Sequence, residues 1–184
     1  MHGDATALQS NTKFGMWLFL MSELFFFSVL IIGYIIARYA HPEEHALLNV
    51  PITSVNSFIL LLSSFNVVWG LSGVQSGNLV RLQRGIAGVI ILGLIFFVIM
   101  MLEFAELSHH GVTLNHPYGM AFFSLTGFHG LHVLIGIGWG IYVFNRAFKG
   151  VYTKENHWGV ESWGLYWHFV DVIWIFIFTI VYLI

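Results

Sequence analysis

The chain has 184 residues, of which 58% are hydrophobic and 9% charged, with a net charge of −2 and no cysteine. Soluble domains carry about 25% charged residues, so this chain has too few charges to cover a water-facing surface. The near-neutral balance argues against a nucleic-acid partner, and the missing thiols exclude disulfides, thiolate metal sites and cysteine nucleophiles.

A membrane-spanning helix needs roughly 20 apolar residues, and five segments supply them. A short polar stretch, Met1 to Asn11, comes first and lacks the cleavage pattern of a secretory leader. The first span is expected over about 15–37, and it carries Glu23 between Ser22 and the run Phe25, Phe26, Phe27. A polar connection, His41-Pro42-Glu43-Glu44, leads to the second span at about 52–74. Gln75-Ser76-Gly77-Asn78 precedes the third, at about 85–105, which ends on Glu103 and Glu106. Ser108-His109-His110-Gly111 and Pro117 introduce the fourth, at about 118–144, with His129 and His132 on one face. A longer connection, Lys149 to Ser162, precedes the fifth, at about 165–184, with His168 and Asp171 one turn apart. No repeat and no low-complexity tract interrupts the pattern. The expected fold is a single all-α domain, an integral membrane bundle of five transmembrane helices.

Lys and Arg orient the bundle. With the N-terminus cytoplasmic, the inner ends hold Lys13, Arg81, Arg84, Arg146, Lys149 and Lys154, and the outer ends hold only Arg38. That split follows the positive-inside rule and places the C-terminus on the outer face.

Ionisable groups within a bilayer cost about 2.5–3.5 kcal/mol at its centre on insertion scales, so they face the bundle interior and pair. Glu23 stands roughly 12 Å from the inner side at about 1.5 Å rise per residue, far along the chain from any Lys or Arg. It reads either as a packing lock or as a group that handles protons. Asp171 and His168 read as a pair on one helix face, also toward the inner side. Glu103 and Glu106 lie near the outer face, where they either lock packing or reach water. His129 and His132 could ligate a haem or metal. However, ligands three residues apart on one helix cannot occupy both axial positions of one haem, and hydrogen bonding within the bundle is the simpler reading. His109, His110 and His116 offer a weak surface metal site. Gly136 and Gly140, continued by Gly127 and Gly130, read as a small-residue packing face. No phosphate loop, nucleophile elbow or His-Glu-x-x-His motif is present, so no catalytic site is expected on this chain.

Several runs resemble one family. Thr126-Gly127-Phe128-His129-Gly130-Leu131-His132-Val133 and Tyr166-Trp167-His168-Phe169-Val170-Asp171-Val172-Ile173-Trp174 are similar to the signatures of subunit III of haem–copper respiratory oxidases. So are Ser22-Glu23 followed by Phe25-Phe26, the run Asn156-His157-Trp158-Gly159-Val160-Glu161, and Glu106. The likeness covers about Phe14 to Tyr182. Many family members have seven helices. This chain has five and so resembles a form without the first two, as in quinol-oxidase members and some bacterial relatives.

The resemblance implies an accessory, non-redox subunit in a bacterial-type cytoplasmic membrane. Such a subunit packs on oxidase subunit I, alongside subunit II, and supports proton uptake and the stability of the oxygen-reducing, proton-pumping core. It holds phospholipid in a cleft and binds no metal itself; haems and copper belong to the partner subunits. By the same resemblance Glu23 lies in the lipid-cleft region, and Glu106, His129, His132, His168 and Asp171 are structural buried polar groups. A cytochrome c oxidase subunit is the favoured form. The alternatives are a quinol-oxidase subunit III and the accessory protein of a nitric oxide reductase. From other classes come a free-standing b-haem carrier using His129, His132 or His168, and a small transporter.

Overall fold

The computed structural model describes residues 2–184, with side chains for 11–44 and 46–184. The expectation for Met1 to Asn11 falls largely on side chains outside the described residues. The elements are α1 (His2–Ala40), the single turn α2 (Pro42–His45), α3 (Val50–Gln75), α4 (Leu79–His109), α5 (Pro117–Phe148) and α6 (Trp158–Phe178). The chain then relaxes into a π-helical turn, Thr179–Leu183. Five helices are long and apolar enough to cross a membrane: Asn11–Ala40, Val50–Gln75, Leu79–His109, Pro117–Phe148 and Trp158–Leu183. Among the described residues there is no strand.

The helix ends follow from local chemistry. Asn49 and Asn78 cap α3 and α4, their side chains accepting from the Ile52 and Arg81 amides at 3.3 Å and 3.0 Å, which satisfies donors that a helix N-terminus leaves open. Pro117 opens α5, where its missing N–H costs nothing. At the end of α3 the chain turns out through Gly77, at φ +79°, and the Asn78 amide donates back to Gly73 O at 2.8 Å. The left-handed residue that this C-cap needs is glycine because a Cβ is strained there.

One boundary departs from expectation. Trp158 to Ser162 belongs to α6 rather than to the preceding connection. Glu161 and Ser162 dilute the local hydropathy, yet Glu161 sits in the first helical turn with His157 3.1 Å away, and Val160 and Trp163 are buried.

Helices α3, α4, α5 and α6 close a four-helix ring, and α1 lies in the groove between α5 and α6. The most apolar stretch of α1 is only 17% buried, against 50% for α5 and for the last span, so α1 is the peripheral helix. Two features hold the ring. At its tightest crossing Gly85 of α4 meets Gly70 of α3, and a Cβ added at Gly85 would come within 2.7 Å of the Gly70 Cα. The other is a stripe of indoles on α6. Trp163 donates to Gly136 O (3.0 Å), Trp167 to Ser63 Oγ (2.8 Å) and Trp174 to Ser57 Oγ (2.9 Å). With no hydrophobic force between helices in lipid, close backbone approach and interhelical hydrogen bonds of this kind drive association.

The small-residue face of α5 is real but serves side chains. Gly136 and Gly140 receive the rings of Trp167 and Trp163, and Gly130 lies against Met100, while Gly127 faces open space. The close helix–helix approach is made instead by Gly70 and Gly85, on two different helices.

Side-chain contacts mark the two ends of the bundle. Lys13 lies over the Trp158 ring at 4.9 Å, and Lys154 lies against Gly77. This gathers the starts of α1 and α6 with the α3–α4 turn at one end. His41 and His116 meet at the other end, with ring centroids 4.5 Å apart.

Candidate functional site

The buried polar side chains do not converge on one centre. Most of the ionisable ones form separate small groups at contacts between helices, and His129 stands apart.

The first pair joins α1 to α5. His132 Nδ1 lies 2.7 Å from Phe128 O. A carbonyl only accepts, so Nδ1 carries the proton. His132 Nε2 then faces Glu23 Oε2 at 3.0 Å. One proton must lie between them, as a carboxylic acid donating to imidazole or as imidazolium donating to carboxylate. Either way the pair has no net charge, which lowers the cost of holding it within the bundle. The Tyr166 hydroxyl donates to His132 O at 3.1 Å and so ties α6 to the same place. Both side chains are mostly shielded, with 11% of His132 and 21% of Glu23 exposed. The partner of Glu23 is thus a histidine.

The second group joins α3 to α6. Ser64 Oγ lies 3.1 Å from His168 Nδ1 and also donates to Asp171 Oδ2. A hydroxyl has one hydrogen, so His168 Nδ1–H donates to the oxygen while the oxygen donates to the carboxylate. His168 and Asp171 are therefore linked through Ser64, not directly as expected from their spacing. They also sit deeper than expected. The last span runs from Trp158 to Leu183, so Asp171 stands near its midpoint and not toward one side. Glu23 is likewise near the middle of Asn11–Ala40.

At the other end of α4, the buried acid is Glu103, which accepts from Thr53 Oγ1 at 3.0 Å. Glu106, expected to be buried, is exposed. The reason is helical phase. Val89, Gly93, Phe96, Met100, Glu103 and Leu107 form the inward stripe of α4, with the three- and four-residue spacing of one helix face, and Glu106 falls outside it.

His129 is fully buried, and neither ring nitrogen has a hydrogen-bond partner. Trp174 stacks on it at 4.9 Å and 29°, with Phe96 and Phe27 edge-on at 6.0 Å and 6.4 Å. The three membrane histidines thus have separate surroundings: an aromatic cage for His129, Glu23 for His132 and Ser64 for His168. Among the described residues, the one set of three His, Asp or Glu side chains whose ligand atoms share a site is His41, Glu44 and His116. Of the three loop histidines singled out by sequence, His116 joins such a set, and its companions come from the α1–α3 connection rather than being His109 and His110.

An apolar cleft of about 320 Å³ opens between α1 and α6, lined by Trp17, Leu20, Leu24, His168, Phe169 and Val172 among others. Its one polar wall residue is the His168 that Ser64 orients. Large apolar side chains dominate the exposed faces of the helices, including Phe25, Val29 and Ile36 on α1 and Phe58 and Phe65 on α3.

These features define a multi-pass helical membrane protein whose internal polar groups are dispersed among its helix contacts. The family model described as cytochrome c oxidase subunit III matches residues 1–184. The cytochrome c oxidase subunit 3 of Equus caballus is 34% identical over 185 residues, covering 95% of this chain and 70% of that protein. The proteins of that name from Pelomedusa subrufa and Lemur catta are 33% and 32% identical, covering 70% and 67% of their own lengths. The chain belongs to the cytochrome c oxidase subunit III family.

Proposed function

We propose that this chain is the accessory subunit III of a cytochrome c oxidase, packed in the membrane against the subunits that carry haem and copper and holding no redox centre itself. The observation that carries the reading is the whole-length match to the family, together with internal histidines that are each engaged or caged separately. The exposed apolar faces of α1 and α3 are suited to lipid and to neighbouring subunits.

The α1–α6 cleft is the place for a phospholipid chain. It is apolar, it follows the peripheral helix, and its lining includes an imidazole held by Ser64. Glu23 with His132 keeps α1 in register beside this cleft. In this arrangement the pair supports proton uptake by the neighbouring core indirectly, by fixing the helix that borders the lipid. The excess of Lys and Arg at the Lys13 end supports an orientation with that end on the inner, cytoplasmic-type side of the membrane.

Purification of the tagged chain from its native membrane in mild detergent tests the assignment. The expected product contains a large haem-bearing subunit and a copper-bearing subunit, with reduced-minus-oxidised haem bands and oxygen consumption driven by cytochrome c. Recovery of the chain alone, or with partners that lack haem, would overturn it.

A further inference from the structure

At the end of the bundle away from Lys13, three side chains from two distant parts of the chain face one another. His116 Nε2 lies 3.4 Å from Glu44 Oε1, and His41 Nδ1 lies 3.8 Å from the same oxygen. All three ligand atoms fall within 4.8 Å of one another. We infer that His41, Glu44 and His116 form a binding site for a divalent transition-metal ion of the zinc type, which ties the end of α1 to the start of α5.

Two imidazoles and one carboxylate are a ligand set that zinc takes up readily, at about 2.0–2.2 Å from each donor atom. Around a tetrahedral ion, donors at that distance stand about 3.4 Å apart. The Glu44–His116 edge already has this length, and rotation of the two imidazoles closes the others. A fourth position stays open to water.

Two further observations point to a ligand. Glu44 Oε2 is buried and has no hydrogen-bond partner, so the carboxylate has unmet demand for a cation. Arg38, the nearby cation of α1, is committed to the carbonyls of Ile180 and Ile184. Both histidines also occupy helix N-cap positions without using their side chains as caps. His116 enters the helix through its backbone alone, Met120 N–H donating to His116 O at 2.8 Å. The rings are held at the site yet remain free to ligate.

The site has a mechanical setting. His41 also lines a cleft of about 590 Å³ between α1 and α5, with Leu30, Gly33, Ala37, Pro117 and Ala121. A bound ion fixes the rim of that cleft from both sides. Zinc has no redox chemistry, so its presence leaves the accessory role intact.

Calorimetric titration of the full chain in lipid nanodiscs with zinc chloride tests the inference, with cobalt chloride as a spectroscopic probe. The expected result is one tight equivalent of zinc and the visible bands of tetrahedral cobalt. Amide exchange should slow at 43–49 and 118–121 when zinc is added. His116→Ala should abolish the tight equivalent. Glu44→Gln, which keeps the side-chain shape, should weaken it by more than the roughly 10–100-fold that loss of an outer-shell partner costs. His109→Ala/His110→Ala should leave it unchanged, since those exposed histidines lie outside the set. Overturning results are no tight binding to the wild-type chain, tight binding that survives Glu44→Gln and His116→Ala, or tight binding lost in the His109→Ala/His110→Ala chain.

Discussion

His132 presents Nε2 to Glu23 at 3.0 Å because its other nitrogen is committed to Phe128 O. The two residues are 109 positions apart and join the peripheral helix to the ring. Glu23→Gln keeps a donor to Nε2 and should leave thermal stability nearly unchanged. Glu23→Ala strands a shielded imidazole and should cost about 1–3 kcal/mol, most of it absent in the His132→Ala background. Thermal unfolding of the wild type, the three single variants and the Glu23→Ala/His132→Ala chain in detergent gives the coupling, and equal losses for Gln and Ala would remove the hydrogen-bond account. If the pair also steadies the oxidase during turnover, Glu23→Ala shortens the active lifetime of the complex more than Glu23→Gln does.

Ser64 is the link between His168 and Asp171, and Asp171 Oδ1 already has no partner. Ser64→Ala should therefore destabilise the fold by about 1–3 kcal/mol through two stranded groups. Ser54 only donates back to Val50 O, at 2.7 Å, and Ser54→Ala should be close to neutral. Chemical unfolding in mixed micelles compares them, and similar midpoints would show that the bridge contributes nothing.

The α3–α4 crossing predicts an asymmetry between two glycines. At Gly85 an added methyl meets Gly70 Cα at 2.7 Å and Asn66 O at 2.8 Å, all backbone. At Gly70 the nearest atoms stand off at 3.4 Å. Gly85→Ala should cost about 1–3 kcal/mol by overpacking, and Gly70→Ala distinctly less. Equal melting temperatures for the two variants would show that the helices separate freely.

Glu155 lies in the connection after α5, outside the spans. Hydrogen bonds from its own backbone N–H and then from the Thr153 hydroxyl hold its carboxyl below the ordinary glutamate range. A lowered folded value favours this loop conformation above the unfolded value, and the contribution fades as pH falls through the folded value. A side-chain NMR titration should place the Glu155 midpoint below that of free glutamate, and Thr153→Val should raise it. A midpoint at or above the free value contradicts the loop geometry.

The five spans were legible because a run of some 20 apolar residues has few other fates. Their ends were less so, as at Trp158, where two polar residues in the first turn mask a helix already begun. Of the two acids on α4, periodicity could have chosen correctly: Glu103 continues the stripe of Phe96 and Met100, and Glu106 does not. The Gly70–Gly85 contact left no local signature, since each glycine stands without a companion four residues away on its own helix. His41 and His116 were out of reach for a different reason. They sit in connections 75 positions apart in the numbering, and only the antiparallel return of α5 brings them together.

The position of α1 outside the ring has a consequence for biosynthesis. Ribosomes deliver this helix ahead of the others, yet its carboxyl finds an imidazole only after more than a hundred further residues have followed. α1 therefore reaches the bilayer well before the helix that locks it, and until α5 arrives Glu23 must be tolerated there without its imidazole.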